Sequence, residues 1–242
     1  MRSARNGSAW PCRAICRSEP LTFHFADLFG YGGLVLQGIG LTILLTLIAI
    51  AGGLGLGVLG ALGRRSSRAP VRILVGAYVE LIRNTPFIVQ LFFVFFGLPR
   101  LGLRLGSVEA ALLAMIVNLG GYATEIVRAG LDGVGRGLWE AGASLGLSRW
   151  RTFRLVILIP ALEKVYPSLT GQFVIIMLGS SVVSQIAVRD LTFAGSFIQS
   201  RTFLSFETYL LVGAIYLVLA IVLRRLSDRV GRRLFRHRQV AA

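Results

Sequence analysis

Polar side chains interrupt stretches otherwise built of Leu, Ile, Val, Phe, Ala and Gly. They are Glu80, Arg83, Asn84, Gln90, Asn118, Gln172, Ser180, Ser181, Ser184 and Gln185. In hydrocarbon each such group costs free energy unless it faces a bundle interior or a water-filled path. Two readings are open. The groups could tie helices together at about 1 kcal/mol per hydrogen bond, or they could line a path for a polar solute. Glu80 and Arg83 are three apart, the spacing for pairing along one helix face. Covalent chemistry lacks its parts. A serine nucleophile needs a neighbouring base, and His24 and His237, the two histidines, lie outside the apolar stretches. No His, Asp or Glu pair sits in those stretches at metal-ligand spacing. Cys12 and Cys16 are too few for a closed four-ligand site and read as free thiols. The lone lysine, Lys164, follows Glu163 and precedes Val165, so no Gly-Lys-Ser/Thr phosphate loop exists. No catalytic residue, cofactor or metal is expected in this chain, and any ATP–Mg chemistry must belong to a partner.

The elements that hold these residues are written in the composition. Hydrophobic residues make up 55% of the chain and charged residues 15%, with mean hydropathy +0.72. A soluble domain is about a quarter charged. The apolar runs are long enough to cross roughly 30 Å of hydrocarbon as helices, and they are uninterrupted rather than alternating, unlike barrel strands. The expected fold is therefore an all-α integral membrane protein, its partner the lipid bilayer. A transmembrane domain over residues 21–230 would carry five spans, about 34–62, 71–98, 107–128, 169–188 and 207–223. A polar tail (1–20), a loop (129–165), a mixed segment with some interfacial helix (189–206) and a basic tail (231–242) complete it. Pro86 should kink or break the second span. Glu125 and Arg128, three apart, should cap the third. No internal repeat is visible.

The net charge of +15 raises nucleic acid as a partner, but the arginines lie mostly in loops and tail, with no basic stripe among exposed aromatics. Arg64, Arg65, Arg68 and Arg72 follow span one, and Arg136, Arg149, Arg151, Arg154 and Lys164 follow span three. The tail from Arg224 onward holds seven arginines. By the positive-inside rule these regions are cytoplasmic. The C-terminus is then inside and the N-terminus periplasmic, although four arginines in residues 1–17 oppose that placement.

Residues 137–160 are too polar for lipid. At their centre stand Trp139, Glu140, Ala141, Gly142, Ala143, Ser144, Leu145 and Gly146. Glu140, Ala143, Ser144 and Leu147 would share one helical face, and Gly146 could split the segment into two short helices. A small-residue surface bearing one carboxylate suits insertion into a partner's groove; a plain amphipathic connector is the simpler alternative.

This segment resembles the cytoplasmic "EAA" loop of ABC-importer permeases, specifically the polar amino acid (histidine/glutamine/arginine) group. Four further blocks are similar and fall in order. They are Tyr-Val-Glu-Leu-Ile-Arg-Asn-Thr-Pro at 78–86 with Val-Gln-Leu-Phe-Phe at 89–93, Leu-Gly-Gly-Tyr-Ala-Thr-Glu-Ile-Val-Arg at 119–128, Leu-Thr-Gly-Gln-Phe at 169–173 and Ser-Ser-Val-Val-Ser at 180–184. The similarity covers roughly residues 30–230. Departures are Gly142 where the group has Ala, Pro160 one place late, Asn84 for Gly, Gly171 for Asn and Gly179 for a charged or amide residue. The resemblance implies a permease subunit of the bacterial inner membrane that moves a polar amino acid or close analogue. It implies coupling through Trp139, Glu140, Ala141, Gly142, Ala143 and Gly146 to an ABC ATPase dimer carrying ATP–Mg. A second permease copy or homologue and an extracytoplasmic substrate-binding protein would complete the assembly. A non-transporting scaffold or receptor subunit docking a soluble cytoplasmic protein is the alternative.

Overall fold

The computed structural model describes residues 30–235. The tail at 1–20, most of the segment at 21–33, both cysteines, both histidines and the end of the basic tail lie outside them.

Helix α1 (Gly32–Arg64) is 33 residues long, about 50 Å at 1.5 Å per residue. Its buried residues recur every three or four positions: Gly38, Thr42, Leu45, Ala49, Gly53, Gly57 and Gly60. Its Gly53, Gly57 and Gly60 pack on α4 (Ser107–Asp132) so closely that a Cβ at Gly57 would collide with Ala123. Small residues permit such approach where lipid provides no hydrophobic drive between helices. The Thr46 hydroxyl donates to the Thr42 carbonyl at 2.7 Å, which satisfies it within the helix.

The second expected span is two helices. α2 (Ala69–Arg83) and α3 (Phe87–Phe92) meet at Asn84–Pro86, and the segment continues through a π turn and a 3-10 turn to Leu101. The halves are bent by 113°. Pro86 lacks an N–H and clashes with the preceding turn, which explains the break. Four other runs are long and apolar enough to cross a membrane: α1, α4, Arg149–Ile186 and Ser205–Leu234. With the bent pair they give the all-α, up to five-span architecture expected.

The fourth span differs from expectation. Rather than 169–188 it is a helical run over Arg149–Ile186, comprising α6 (Arg149–Thr152), a π turn, α7 (Leu158–Gly179) and a 3-10 turn. The charges that suggested a loop up to residue 165 stand at exposed positions of the helical run. Arg149, Arg151, Arg154 and Lys164 are exposed, whereas Thr152, Ile157, Ala161, Val165 and Leu169 are buried. Pro160 falls in the first turn of α7, where a missing N–H is tolerated. The fifth span, α9 (Ser205–Leu234), likewise outruns 207–223 and takes in arginines assigned to the tail. Arginine is a good helix former, and Tyr166 of α7 anchors this extension by donating to the Ser227 carbonyl at 2.6 Å.

Between the last two spans α8 (Leu191–Thr202) packs Leu191, Ala194, Gly195 and Ile198 inward. Asp190 caps it, its carboxylate accepting the Phe193 N–H at 2.9 Å and the Tyr216 hydroxyl at 3.2 Å. The Leu191 N–H donates to Thr42 Oγ1, tying α8 to α1. Burial raises the Asp190 carboxyl above its ordinary range, against hydrogen bonds from the Phe193 and Thr192 backbone that lower it.

Candidate coupling segment and membrane cavity

α5 (Arg136–Ser144) and α6 form a compact helical hairpin. Gly146 takes a left-handed φ of +69°, a conformation that costs a side-chain-bearing residue energy. Around it the Gly146 N–H donates to the Ala143 carbonyl at 2.9 Å and the Leu147 N–H to the Gly142 carbonyl at 3.0 Å. This is the Schellman pattern, which satisfies the last carbonyls of α5. Ser148 then caps α6, accepting from the Arg151 N–H. Gly142 is buried against Thr152, and a Cβ there would meet Thr152 Oγ1 at 2.7 Å. The glycine that departs from the resembled pattern thus matches a threonine on the facing helix.

What the hairpin leaves outside is its other property. Glu140, Ala141, Ala143 and Gly146 are exposed and Trp139 is half-buried. Leu145 is 75% and Trp150 68% exposed, with Trp150 stacked on Phe153 at 5.9 Å. Trp139, Ala143 and Leu147 line a groove of about 430 Å³ with Arg149 and Thr152. Leu147 reaches it from beyond the Gly146 turn rather than from the face of α5 that the sequence suggested. Leu145 and Trp150 were not among the expected coupling residues; large apolar residues in a polar segment, one of them beside Gly146, were the available signal.

The polar residues within the spans do not converge on one site. Most of those near the break serve the elbow. The Gln90 amide nitrogen lies 2.8 Å from the Ile82 carbonyl, 3.0 Å from the Thr85 carbonyl and 2.9 Å from Thr85 Oγ1. Gln90 Oε1 accepts from the Asn118 amide of α4 at 2.9 Å. The carbonyls released by the proline break are thereby satisfied, as burial in a membrane requires. Glu80 receives the Asn84 amide at 3.0 Å. The expected Glu80–Arg83 pair is absent among the described ion pairs, because Asn84, one turn on, takes the carboxylate. Arg83 lies over the Tyr122 ring, 6.0 Å from its centroid. Gln172 and Ser180 are buried, the Ser180 hydroxyl donates to the Met177 carbonyl, and the Ser181 carbonyl accepts from Ser184.

Arg83 alone of that set lines the cavity between α2, α4 and α7. This space of about 340 Å³ is bordered by Tyr122, Glu125, Lys164 and Ser168. Glu125 is bound by Arg128, whose Nε donates at 3.0 Å, and Arg128 continues to Asp132 at 2.6 Å, which also holds Arg65. The Lys164 ammonium donates to the Gly133 carbonyl at 3.1 Å. Two cations and one partly neutralised carboxylate therefore face the same opening. Tyr122, Lys164 and Ser168 were not among the expected site residues because Tyr122 stands on α4 and the other two on α7, and no spacing links the two helices.

A bent span, a helical hairpin presenting apolar side chains beside charged ones, and a polar cavity between spans define a membrane transport subunit. Residues 53–236 match the family of binding-protein-dependent transport system inner membrane components, and the chain belongs to that family: it is a permease subunit of an ABC importer. It is 34% identical to the glutamine transport system permease protein GlnP of Escherichia coli (strain K12) over 203 residues, 83% of this chain and 93% of that protein. It is also 34% identical to the L-cystine transport system permease protein TcyB of Bacillus subtilis (strain 168), across 83% of this chain and 86% of the relative. Among solved structures, one described as an amino acid ABC transporter with histidines matches with TM-score 0.81 at 34% identity, covering 88% of this chain and all of that one. A chain of the MetNI methionine ABC transporter in inward-facing form shares the fold, with TM-score 0.68 at 22% identity.

Proposed function

We propose that this permease imports a polar amino acid or a close analogue across the bacterial inner membrane. A dimer of ABC ATPase subunits, binding ATP–Mg, docks on the α5–α6 hairpin and drives it. Two permease copies, identical or homologous, enclose the path, and an extracytoplasmic binding protein delivers the solute. The hairpin and the C-terminal end of α9 face the cytoplasm. The observation that carries this reading is the pair of exposed apolar side chains, Leu145 and Trp150, on a hairpin otherwise rich in charge. Large apolar side chains exposed on a polar segment suit a partner's groove. Glutamine and cystine permeases among the relatives support the solute class. So does the cavity, whose Arg83 and Lys164 suit a carboxylate and whose Glu125 suits an ammonium. Gly146→Val removes the left-handed turn while leaving the spans alone. In vesicles containing the whole complex, binding-protein-stimulated ATP hydrolysis should fall at least roughly tenfold, equivalent to about 1.4 kcal/mol, with membrane insertion unchanged. Full stimulation in that variant would count against coupling through the hairpin and favour a scaffold role.

A further inference from the structure

α7 and α9 leave a groove between them on the side away from α4. It encloses about 440 Å³, with Gly171, Val174, Leu217 and Ile221 along its apolar length and Arg224 and Asp228 at one end. A second hollow of about 250 Å³ adjoins it, sharing Pro167 and Asp228 and adding Glu163 and Arg232. Arg224, Asp228 and Arg232 follow one another at intervals of four on α9, so they share one helix face with alternating sign. From Leu217 to Asp228 the helix rises about 16 Å, which spans the distance from the hydrocarbon to the headgroup level.

The open length of the groove has a local origin. Gly171 stands where the resembled sequence block carries Asn, and a Cβ built there meets nothing within 4 Å. Beside it, Thr170 is 5% exposed, its hydroxyl buried next to that of Tyr166. The flanking α9 surface is apolar, with Val218 58% and Val222 47% exposed.

We infer that this groove holds one phospholipid whose headgroup carries a primary ammonium beside its phosphate, as phosphatidylethanolamine does. An acyl chain lies along Val174, Leu217 and Ile221. The phosphate meets the Arg224 and Arg232 guanidiniums. Asp228, set between them, accepts from the ammonium and repels a headgroup that is only anionic. A quaternary ammonium has no N–H to give it.

The test uses the full-length chain, purified in detergent, stripped of lipid and exposed to phosphatidylethanolamine, phosphatidylglycerol or phosphatidylcholine with identical chains. Retained lipid is counted by native mass spectrometry. Phosphatidylethanolamine should be retained roughly tenfold more tightly than either of the others, the size expected for one charge-assisted hydrogen bond. Asp228→Asn should erase its advantage over phosphatidylcholine. Gly171→Leu, which fills open space, should abolish retention of all three with unchanged thermal unfolding. Equal retention of phosphatidylglycerol, retention that survives both variants, or disulfide trapping of Gly171→Cys to a second copy of the chain would each overturn the assignment.

Discussion

The elbow at Asn84–Pro86 and the hairpin α5–α6 are both interruptions of helix, and they treat their exposed chemistry in opposite ways. At the elbow the polar groups are answered from within: Gln90 reaches the Ile82 and Thr85 carbonyls and is itself held by Asn118. At the hairpin the backbone is answered, through the Gly146 turn and the Ser148 cap, while Leu145 and Trp150 are left uncovered. A break in a membrane has no water to fall back on, so its residues are committed to structure. A break outside the membrane can satisfy its backbone and keep its side chains for a partner.

The contrast can be broken most forcefully at Gln90. Gln90→Leu strands two carbonyls and the Asn118 amide, and should destabilise the chain by about 2–4 kcal/mol, seen as a lower Tm in detergent. An unchanged Tm would mean that the elbow is not held by this side chain. Leu145→Asp should do the reverse. Global unfolding should move by less than about 0.5 kcal/mol, while ATPase-subunit affinity falls roughly tenfold, about 1.4 kcal/mol, measured by co-purification. A large drop in Tm with intact assembly would erase the distinction between the two regions. The smallest effect is expected at Asp190, a third place where a polar group is answered internally. Its carboxyl is raised in the folded chain, so its contribution is fully present below the unfolded value of about 3.9 and is lost as pH rises through the folded one. Asp190→Asn, which keeps an acceptor for Phe193, should give a flatter dependence of Tm on pH over that window. An identical slope would place the titrating group elsewhere.

Much of this architecture is legible in the residue order because membranes impose simple rules. Run length gives the spans, Pro86 gives the break, and Gly146 divides the hairpin. What the order concealed has physical causes. The N-terminal half of the fourth span carries its charges at exposed positions, so mean hydropathy falls although Ile157, Ala161 and Val165 are buried. Gln90 and Asn118 read as glue or as a solute path, and their pairing at 2.9 Å is one that no sequence spacing shows. Tyr122 and Glu125 share a face of α4, but they meet Lys164 of α7 at a separation that no periodicity encodes. Gly142 looked like a departure from pattern until Thr152 was found against it.

The elbow's 113° bend also bears on how force would pass through the molecule. A proline break alone is a loose joint. Here Gln90 fastens the end of α2 and the start of α3 to each other, and Asn118 fastens both to α4. The angle is consequently a set square rather than a hinge. To flex at Pro86 the chain would have to break these hydrogen bonds, so α2, α3 and α4 are joined by more than the peptide chain.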